Sequence, residues 1–208
     1  MTQRSLRGMR DFDVRRLPDP VLGLRCREVD PMDLGVFVLA EAMVGLMQSS
    51  PACVGVAAPQ IGQAWRLFVL DVTGHRKARS EHGLVVLCNP VVIAHGGLEV
   101  AREGCLSVPD LTGDVPRATT VVVSGLEPGT GRTRVLEADA FEARALQHEI
   151  DHLDGLLFLD RVRSPAGVHA RRVYGAGTDA AGSADPGAPA PPAPPPLPPP
   201  TPLRPRGA

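Results

Sequence analysis

The sequence predicts an α+β fold in which mainly antiparallel β-sheets pack around a central HExxH helix, followed by a disordered C-terminal tail. Three observations lead to this prediction. Short apolar, β-branched runs alternate with turn residues, two longer segments carry apolar side chains at helical spacing, and 12 of the 22 prolines lie between positions 186 and 205. The folded part therefore mixes strands and helices and ends before the proline-rich stretch.

The first predicted helix covers residues 30–50. An Asp-Pro pair opens this segment, and its apolar residues recur every three or four positions, at Val36, Leu39, Ala40, Met43, Leu46 and Met47. The helix should end before Pro51, since proline cannot continue it. The next segment, PACVGVAAPQIG at 51–62, is rich in small residues, glycine and proline, which predicts a loop.

Four short apolar runs predict β-strands, at 66–71, 84–94, 119–124 and 133–138. The last two runs are joined by the turn-rich segment EPGTGR at 127–132. A connection of this length and composition favours a hairpin over a crossover helix. The strands should therefore pair in an antiparallel manner.

The second predicted helix covers residues 139–154. Asp139 can cap its first turn, Glu142 follows three residues later, and Gly155 stands where a left-handed residue commonly ends a helix. This helix contains two histidines one turn apart, and we expect it to carry the chemistry of the protein.

Charge and composition exclude several classes of partner. Lys and Arg total 22 while Asp and Glu total 23, so the net charge of -1 provides no broad positive field for nucleic acid or an anionic membrane. No stretch approaches the roughly 18 apolar residues of a membrane span, and the first dozen residues lack the apolar core of a secretory signal. We therefore expect a cytoplasmic protein with reduced cysteines.

The domain organisation follows from the change in composition near the C-terminus. Residues 1–174 contain enough apolar residues for one catalytic domain with a single core. Residues 175–208 are rich in Pro, Ala and Gly and offer almost nothing to bury, so we expect them to be disordered.

The strongest local signal for chemistry is the sequence His148-Glu149-Ile150-Asp151-His152. On a helix, His148 and His152 project from one face and can share a metal ion, with Glu149 beside them to handle protons. Two surface histidines at this spacing would look the same. The extended metallopeptidase motif is incomplete, because Phe158 occupies the position of its last histidine. Cys105 is the candidate for a third ligand.

Three blocks of sequence resemble the peptide deformylase family. Residues 53–60, CVGVAAPQ, are similar to the family motif GφGφAAPQ, where φ is apolar; residues 103–107 match EGCLS; and residues 147–155 match QHExDHLxG. The similarity covers roughly residues 10–163 and leaves out the tail. Cys53 departs from the pattern, because it replaces the first glycine of the first motif. If that position requires a positive φ, cysteine would add strain of about 1 kcal/mol or more.

The resemblance implies the roles of the central residues. Cys105, His148 and His152 would bind the metal, and Glu149 would act as the general acid and base. Gln60 and the backbone N–H of Leu106 would face the oxygen that becomes negative during attack on the formyl group. The family resemblance favours one Fe2+ ion, with Zn2+, Ni2+ or Co2+ as substitutes, although the usual affinity order favours zinc.

The remaining candidate residues concern substrate binding and support of the site. Backbone groups of Val54, Gly55 and Gly104 would pair with an extended peptide as an added strand. Apolar Val54, Phe141 and Ala145 would line a methionine pocket, or they are ordinary core residues. Glu103 and Arg117 would form an ion pair that orients the site.

The implied substrate is the N-terminal formyl-methionine of newly made polypeptides, which places the enzyme near the ribosome, and we expect a monomer. Two other functions remain open at this point. One is an HExxH metallopeptidase, and the other is a noncatalytic interaction protein that binds partners through its proline-rich tail. Formate release from a formyl-methionyl peptide distinguishes the first function from both alternatives.

Overall fold

The structure is a computed structural model that describes residues 13–50 and 52–171. The predicted tail at 175–208 lies outside the described residues. Within them, no helix combines the length and the apolar character that crossing a bilayer would require.

The strands form two antiparallel sheets. The larger sheet has the order β1-β2-β3-β6-β7 and the smaller sheet the order β4-β5-β8. The strands of the larger sheet are β1 (Gly55–Ala57), β2 (Leu67–Leu70), β3 (Val85–Gly96), β6 (Thr120–Leu126) and β7 (Thr133–Asp139). Those of the smaller sheet are β4 (Glu99–Cys105), β5 (Val108–Arg117) and β8 (Val168–Ala170). The antiparallel pairing and the β6–β7 hairpin are as predicted, whereas β1, β4, β5 and β8 were not predicted.

The two predicted helices are present, and a short third helix follows them. They are α1 (Leu34–Ser49), α2 (Ala140–Leu153) and the single turn α3 (Phe158–Arg161). Helix α1 begins four residues later than predicted, because the Asp33 carboxylate accepts a 2.7 Å hydrogen bond from the Gly35 N–H and so caps the helix there.

The predicted cap of α2 is wrong. The Asp139 side chain accepts a hydrogen bond from the Ser80 N–H and leaves the first turn of α2 without a side-chain cap. The Glu142 side chain contacts His82: it accepts a hydrogen bond from the His82 N–H and pairs with the His82 ring. Both carboxylates therefore fix the 73–84 loop to the start of α2. At the other end, Gly155 has the predicted left-handed φ of +75°.

Helix α2 packs against the larger sheet through an apolar cluster. Its Leu146 and Leu153 are fully buried with Phe68 of β2 and Leu136 of β7. A second cluster, which includes Met43 of α1, covers the neighbouring part of β1 and β2. The helix with the two histidines is therefore the central element of the fold, as predicted.

A third apolar cluster lies under the smaller sheet. Phe158 of α3 packs there with Leu22 and Val115, close to Cys105. Gly113 of β5 permits this approach, because a Cβ atom at that position would lie 2.9 Å from the Phe158 ring and 2.7 Å from a Val162 methyl group. The close packing brings the end of β4 towards the α2–α3 region.

Among the described strands, β1 and β7 are the edges of the larger sheet, and β4 and β8 are the edges of the smaller one. The Asp71 N–H donates to the Val54 carbonyl oxygen, and Gly55 lies opposite Leu70 in the antiparallel register. Because hydrogen-bonding residues alternate along an antiparallel pair, the backbone groups of Gly55 face the unpaired edge of β1.

Candidate metal centre

Three side chains from two elements meet at one point. Cys105 is the last residue of β4, where the pairing with β5 shifts register between Gly104 and Cys105. His148 and His152 lie one turn apart on α2, with ring centroids separated by 4.9 Å. A register irregularity of this kind re-aims a side chain, and here it accompanies the approach of the Cys105 thiol to the two imidazoles.

The three side chains form a compact donor set. Their ligand atoms lie within 4.8 Å of one another, and Cys105 Sγ is 3.3 Å from His152 Nε2. Burial by itself would raise the pKa of the Cys105 thiol, but the neighbouring His152 and His148 outweigh it and hold that pKa well below its ordinary value. The thiol is thus favoured as a thiolate, which is the form that binds metal ions.

Glu103 fixes the orientation of the first histidine. Its Oε2 atom is 2.9 Å from His148 Nδ1. Because an ionised carboxylate can only accept, Nδ1 donates the hydrogen bond and Nε2 is the ring nitrogen left to face a metal ion. The hydrogen bond therefore orients the imidazole so that it can bind a metal through Nε2.

A buried network of ion pairs holds Glu103 in place. Arg117 contacts both carboxylate oxygens at 2.9 and 3.0 Å, and Arg144 donates to Oε1 at 2.9 Å. Burial raises the pKa of Glu103, but the hydrogen bonds from His148 and Arg117 overcome it and bring the pKa to about 2. Arg117 also pairs with Asp151, which in turn pairs with Arg161.

Sequence reasoning paired Glu103 with Arg117, and the two side chains do lie in contact. It missed Arg144, Asp151 and Arg161. Asp151 lies inside the QHExDHLxG block, and Arg144 precedes His148 by one helical turn. Arg144 and Asp151 are charged and lie on the same face of α2 as His148. That placement was the signal from which their contact with the site could have been predicted.

Glu149 lies beside the donor set and has an unused oxygen. Its Oε2 atom is buried and has no hydrogen-bond partner among the described residues. Burial raises the pKa of Glu149 to about 7, even though His148 and His152 oppose the shift. A carboxyl group with this pKa can both accept and return a proton near neutral pH.

Gly55, which lies in the first motif at residues 53–60, packs directly against Glu149. A Cβ atom on Gly55 would overlap Glu149 Oε1, so only glycine leaves room for the carboxylate in this position. Gly55 thus allows the unpaired edge of β1 to run directly against the Glu149 carboxylate.

Gln60 points its amide nitrogen into the site. The residue is 2% exposed and lies on the short 3-10 turn Ala58–Ile61. Its Oε1 accepts from the Ala57 N–H at 2.9 Å, which identifies Nε2 as the end that faces Cys105 Sγ and the Ser107 hydroxyl, each at 3.3 Å. Leu106 lies next to Cys105 in the tight turn between β4 and β5.

The proposed pocket residues belong to, or pack against, one apolar cluster. Ala145 belongs to the cluster between α2 and the larger sheet, and Val54 and Phe141 are partly buried against it. The Phe141 ring stacks on His75, with centroids 3.7 Å apart. This arrangement is compatible with a pocket wall and with an ordinary core boundary.

Cys53 is half-buried and does not have a positive φ; the left-handed residue in this segment is Ala52, with φ of 57°. The strain considered for cysteine in place of glycine is therefore absent. Its Sγ is 3.2 Å from the Gly55 carbonyl oxygen. Burial, with a smaller contribution from Glu149, raises the pKa of this thiol to about 11, so it stays protonated.

The donor set fits a divalent metal ion. One thiolate and two imidazoles are ligands used by catalytic zinc and related ions, and three protein ligands leave a position for water or substrate. The Glu103 hydrogen bond on His148 is the supporting contact that such ligands commonly have. Within 13–50 and 52–171, no other group of three or more His, Cys, Asp or Glu side chains lies close enough together to hold a metal ion. His82 and His169 pair with carboxylates instead.

Comparison with known proteins gives a consistent result. Residues 12–167 match the model of the family described as polypeptide deformylase. A peptide deformylase of Halothermothrix orenii is 43% identical over 151 residues, which is 73% of this chain and 93% of that protein. One from Thermus thermophilus is 40% identical over 163 residues, covering 74% and 83% of the two chains.

Solved structures agree with the sequence matches. The crystal structure of the Thermus thermophilus peptide deformylase has a TM-score of 0.65 and 42% identity, and the match covers 74% of this chain and 87% of that one. A peptide deformylase from Synechococcus elongatus, solved in complex with actinonin, has a TM-score of 0.67 and 36% identity, with coverage of 75% and 81%.

Proposed function

The chain belongs to the polypeptide deformylase family, and on that premise we propose that Cys105, His148 and His152 hold its catalytic metal ion. It is a metal-dependent hydrolase that removes the formyl group from the N-terminal formyl-methionine of newly made polypeptides and releases formate. The observation that carries the site assignment is the buried cysteine–histidine–histidine set with Glu149 beside it. The metallopeptidase and tail-mediated alternatives are disfavoured, since the family match extends over residues 12–167.

Glu149 is assigned as the group that moves the proton. When bound, the metal ion would lower the pKa of water towards 7 and so favour the nucleophile at neutral pH. Glu149 takes a proton from the attacking water and returns it to the leaving amine nitrogen. Its unpartnered Oε2 and its pKa of about 7 support this role.

Gln60 and Leu106 are assigned to the oxygen that gains negative charge. Attack on the formyl carbon turns the carbonyl oxygen into an oxyanion, which fixed N–H donors stabilise by roughly 3 kcal/mol each. Gln60 Nε2 is held in place because its own Oε1 is bonded to Ala57. The Leu106 backbone N–H, next to Cys105, would supply the second donor.

The peptide is proposed to bind between edge strand β1 of the larger sheet and edge strand β4 of the smaller one. Gly55 at the edge of β1 and Gly104 in the edge strand β4 would pair with its main chain, with Val54 beside them. Main-chain pairing gives affinity without strict sequence choice, which suits an enzyme that meets many newly made chains. Phe141 and Ala145, with Val54, would then line the pocket for the methionine side chain.

The test of the site assignment compares Glu149→Gln with Cys105→Ala, using formate release from formyl-Met-Ala-Ser and metal content on the same samples. Glu149→Gln should keep the metal and lose about 100- to 10,000-fold in kcat, because a general acid–base contributes that much. Cys105→Ala, His148→Ala and His152→Ala should lose metal and activity together. Near-parent turnover by Glu149→Gln would contradict its assignment.

We propose ferrous iron as the native metal. The thiolate ligand would make the site sensitive to air, since a cysteine with thiolate character is readily oxidised. Protein loaded anaerobically with Fe2+, Ni2+, Co2+ or Zn2+ should show high formate release with iron, followed by decay in air. Equal, oxygen-indifferent rates with zinc and iron would contradict this choice of metal.

We also propose that the enzyme acts as a monomer in the cytoplasm, close to the ribosome where its substrates emerge. The basic stretch VHARRVYG at 168–175, most of which lies beyond the end of β8, is the candidate for ribosome proximity. Truncation after Gly175 should leave peptide turnover unchanged if the proline-rich tail has no catalytic part. Loss of turnover on truncation would favour a working role for the tail.

A further inference from the structure

We propose that Arg171 selects substrates with an acidic residue directly after the formyl-methionine. This inference rests on the proposed peptide-binding edge of β4. Arg171 continues the pairing of β8 with β5 by one residue, since its N–H donates to the Asp110 carbonyl oxygen at 2.7 Å. The strand therefore delivers the Arg171 side chain to the end of the smaller sheet that holds Cys105.

The guanidinium lies directly against Gly104. A Cβ atom built on Gly104 would meet Arg171 Nη2 at 2.5 Å and its Cζ at 3.3 Å. Glu103 and Cys105 are buried, whereas Gly104 between them is exposed, so Gly104 marks the outer face of the sheet. The positive charge of Arg171 thus sits on the outer face, one residue away from a proposed metal ligand.

Among the described residues, no carboxylate forms an ion pair with the Arg171 guanidinium. The ion pairs of the smaller sheet's outer face involve Asp114, which is bound by Arg102 at 2.6 Å and by His169 at 3.0 Å. The polar contact of the Arg171 guanidinium is a long one, 3.5 Å from Nη1 to the Pro109 carbonyl oxygen. Arg171 is exposed and can form a further ion pair.

The alternation of side chains along an added strand indicates which residue of the substrate Arg171 would contact. Adjacent strands lie about 4.8 Å apart, and successive side chains of an added strand point to opposite faces. If the methionine side chain points inward towards Phe141 and Ala145, the next side chain points to the outer face. A carboxylate at that second position would lie within reach of the Arg171 guanidinium, while the third side chain would point away from it.

The experiment measures kcat/KM for formate release with the full-length, metal-loaded enzyme and matched amidated peptides. Formyl-Met-Glu-Ala-NH2 is compared with formyl-Met-Gln-Ala-NH2, and formyl-Met-Ala-Glu-NH2 with formyl-Met-Ala-Gln-NH2. For the parent enzyme we expect a Glu/Gln ratio of about two to five at the second position, which corresponds to an exposed ion pair. The ratio at the third position should be near one, and added salt should lower the second-position ratio.

Variants separate the charge of Arg171 from a general effect on folding or on net charge. Arg171→Gln should bring the second-position ratio to about one, and Arg171→Lys should retain most of it because the charge is kept. Arg132→Gln removes the same charge at the distant β6–β7 loop, where Arg132 is 76% exposed, and should leave the ratio unchanged.

Three results would overturn the inference while leaving the deformylase activity intact: no Glu preference in the parent enzyme, a preference that survives Arg171→Gln, or an equal preference at the third position. Absence of formate release from every peptide would instead overturn the proposed function, and the inference with it.

Discussion

Replacement of Arg117 by methionine tests the buried ion-pair network around the candidate metal centre. Arg117 has a side chain that is 4% exposed, and it bridges Glu103 and Asp151, which are 5% and 8% exposed. Methionine fills a similar volume but carries no charge, so both carboxylates lose a buried partner. Breaking a buried ion pair by removing one member costs about 3–5 kcal/mol.

The partners that remain after the substitution determine where in that range the loss of unfolding free energy falls. Glu103 keeps Arg144 and His148, and Asp151 keeps Arg161, so neither carboxylate becomes fully unpaired. We therefore expect a loss of about 3 kcal/mol, at the lower end of the range for a broken buried pair. For a domain of this size, such a loss lowers the midpoint of thermal unfolding by about 6–12 °C.

The matched control is Arg102→Met, an arginine that pairs with Asp114 on the same small sheet. Its pair is exposed, with 47% and 37% of the two side chains accessible, so the expected cost is about 0–1 kcal/mol. The assay is urea unfolding of the metal-loaded proteins, with the free energy of unfolding extrapolated to zero denaturant. Equal losses for Arg117→Met and Arg102→Met would refute the argument that burial makes the Arg117 network essential to stability.

Three further substitutions test individual contacts. Gly55→Ala should lower formate turnover about 100-fold while metal content and unfolding free energy stay near the parent values, because the new methyl group displaces the Glu149 carboxylate rather than backbone. Gln60→Glu should reduce kcat about 100- to 1,000-fold, since it replaces an N–H donor with a carboxylate beside a thiolate; metal analysis checks that the ion is retained. Gly155→Ala should lower the free energy of unfolding in urea by about 2–4 kcal/mol, because φ is +75° and the new Cβ would lie 2.7 Å from the Gly23 carbonyl oxygen. Turnover per folded molecule should change little.

Much of the candidate site could be predicted from the sequence because its residues are concentrated in short blocks. The two proposed histidine ligands lie one helical turn apart, so helical periodicity places His148 and His152 on one face before any tertiary contact is known. The period of the apolar residues likewise predicted both long helices. Residues 53–60 and 103–107 supplied the remaining groups through their resemblance to a family.

Strands β4 and β5 could not be predicted from their own residues. Their sequences, EVAREGC and VPDLTGDVPR, contain charged residues, glycine and proline where a strand prediction requires alternating apolar residues. Part of the buried face of this sheet is polar, because Glu103 and Arg117 satisfy each other there. Burial of a charged strand face depends on partners that are distant in sequence, so local patterns do not reveal it.

The sequence by itself determined the kinds of chemical groups in the site and their positions along the helix. Only the tertiary structure decided which long-range partners they have: Arg144 on Glu103, Asp139 on Ser80 instead of its own helix, and Arg171 on Gly104. The physical reason is that helix periodicity is a local property of the backbone, whereas hydrogen bonds and ion pairs form between whichever groups packing brings within about 3 Å.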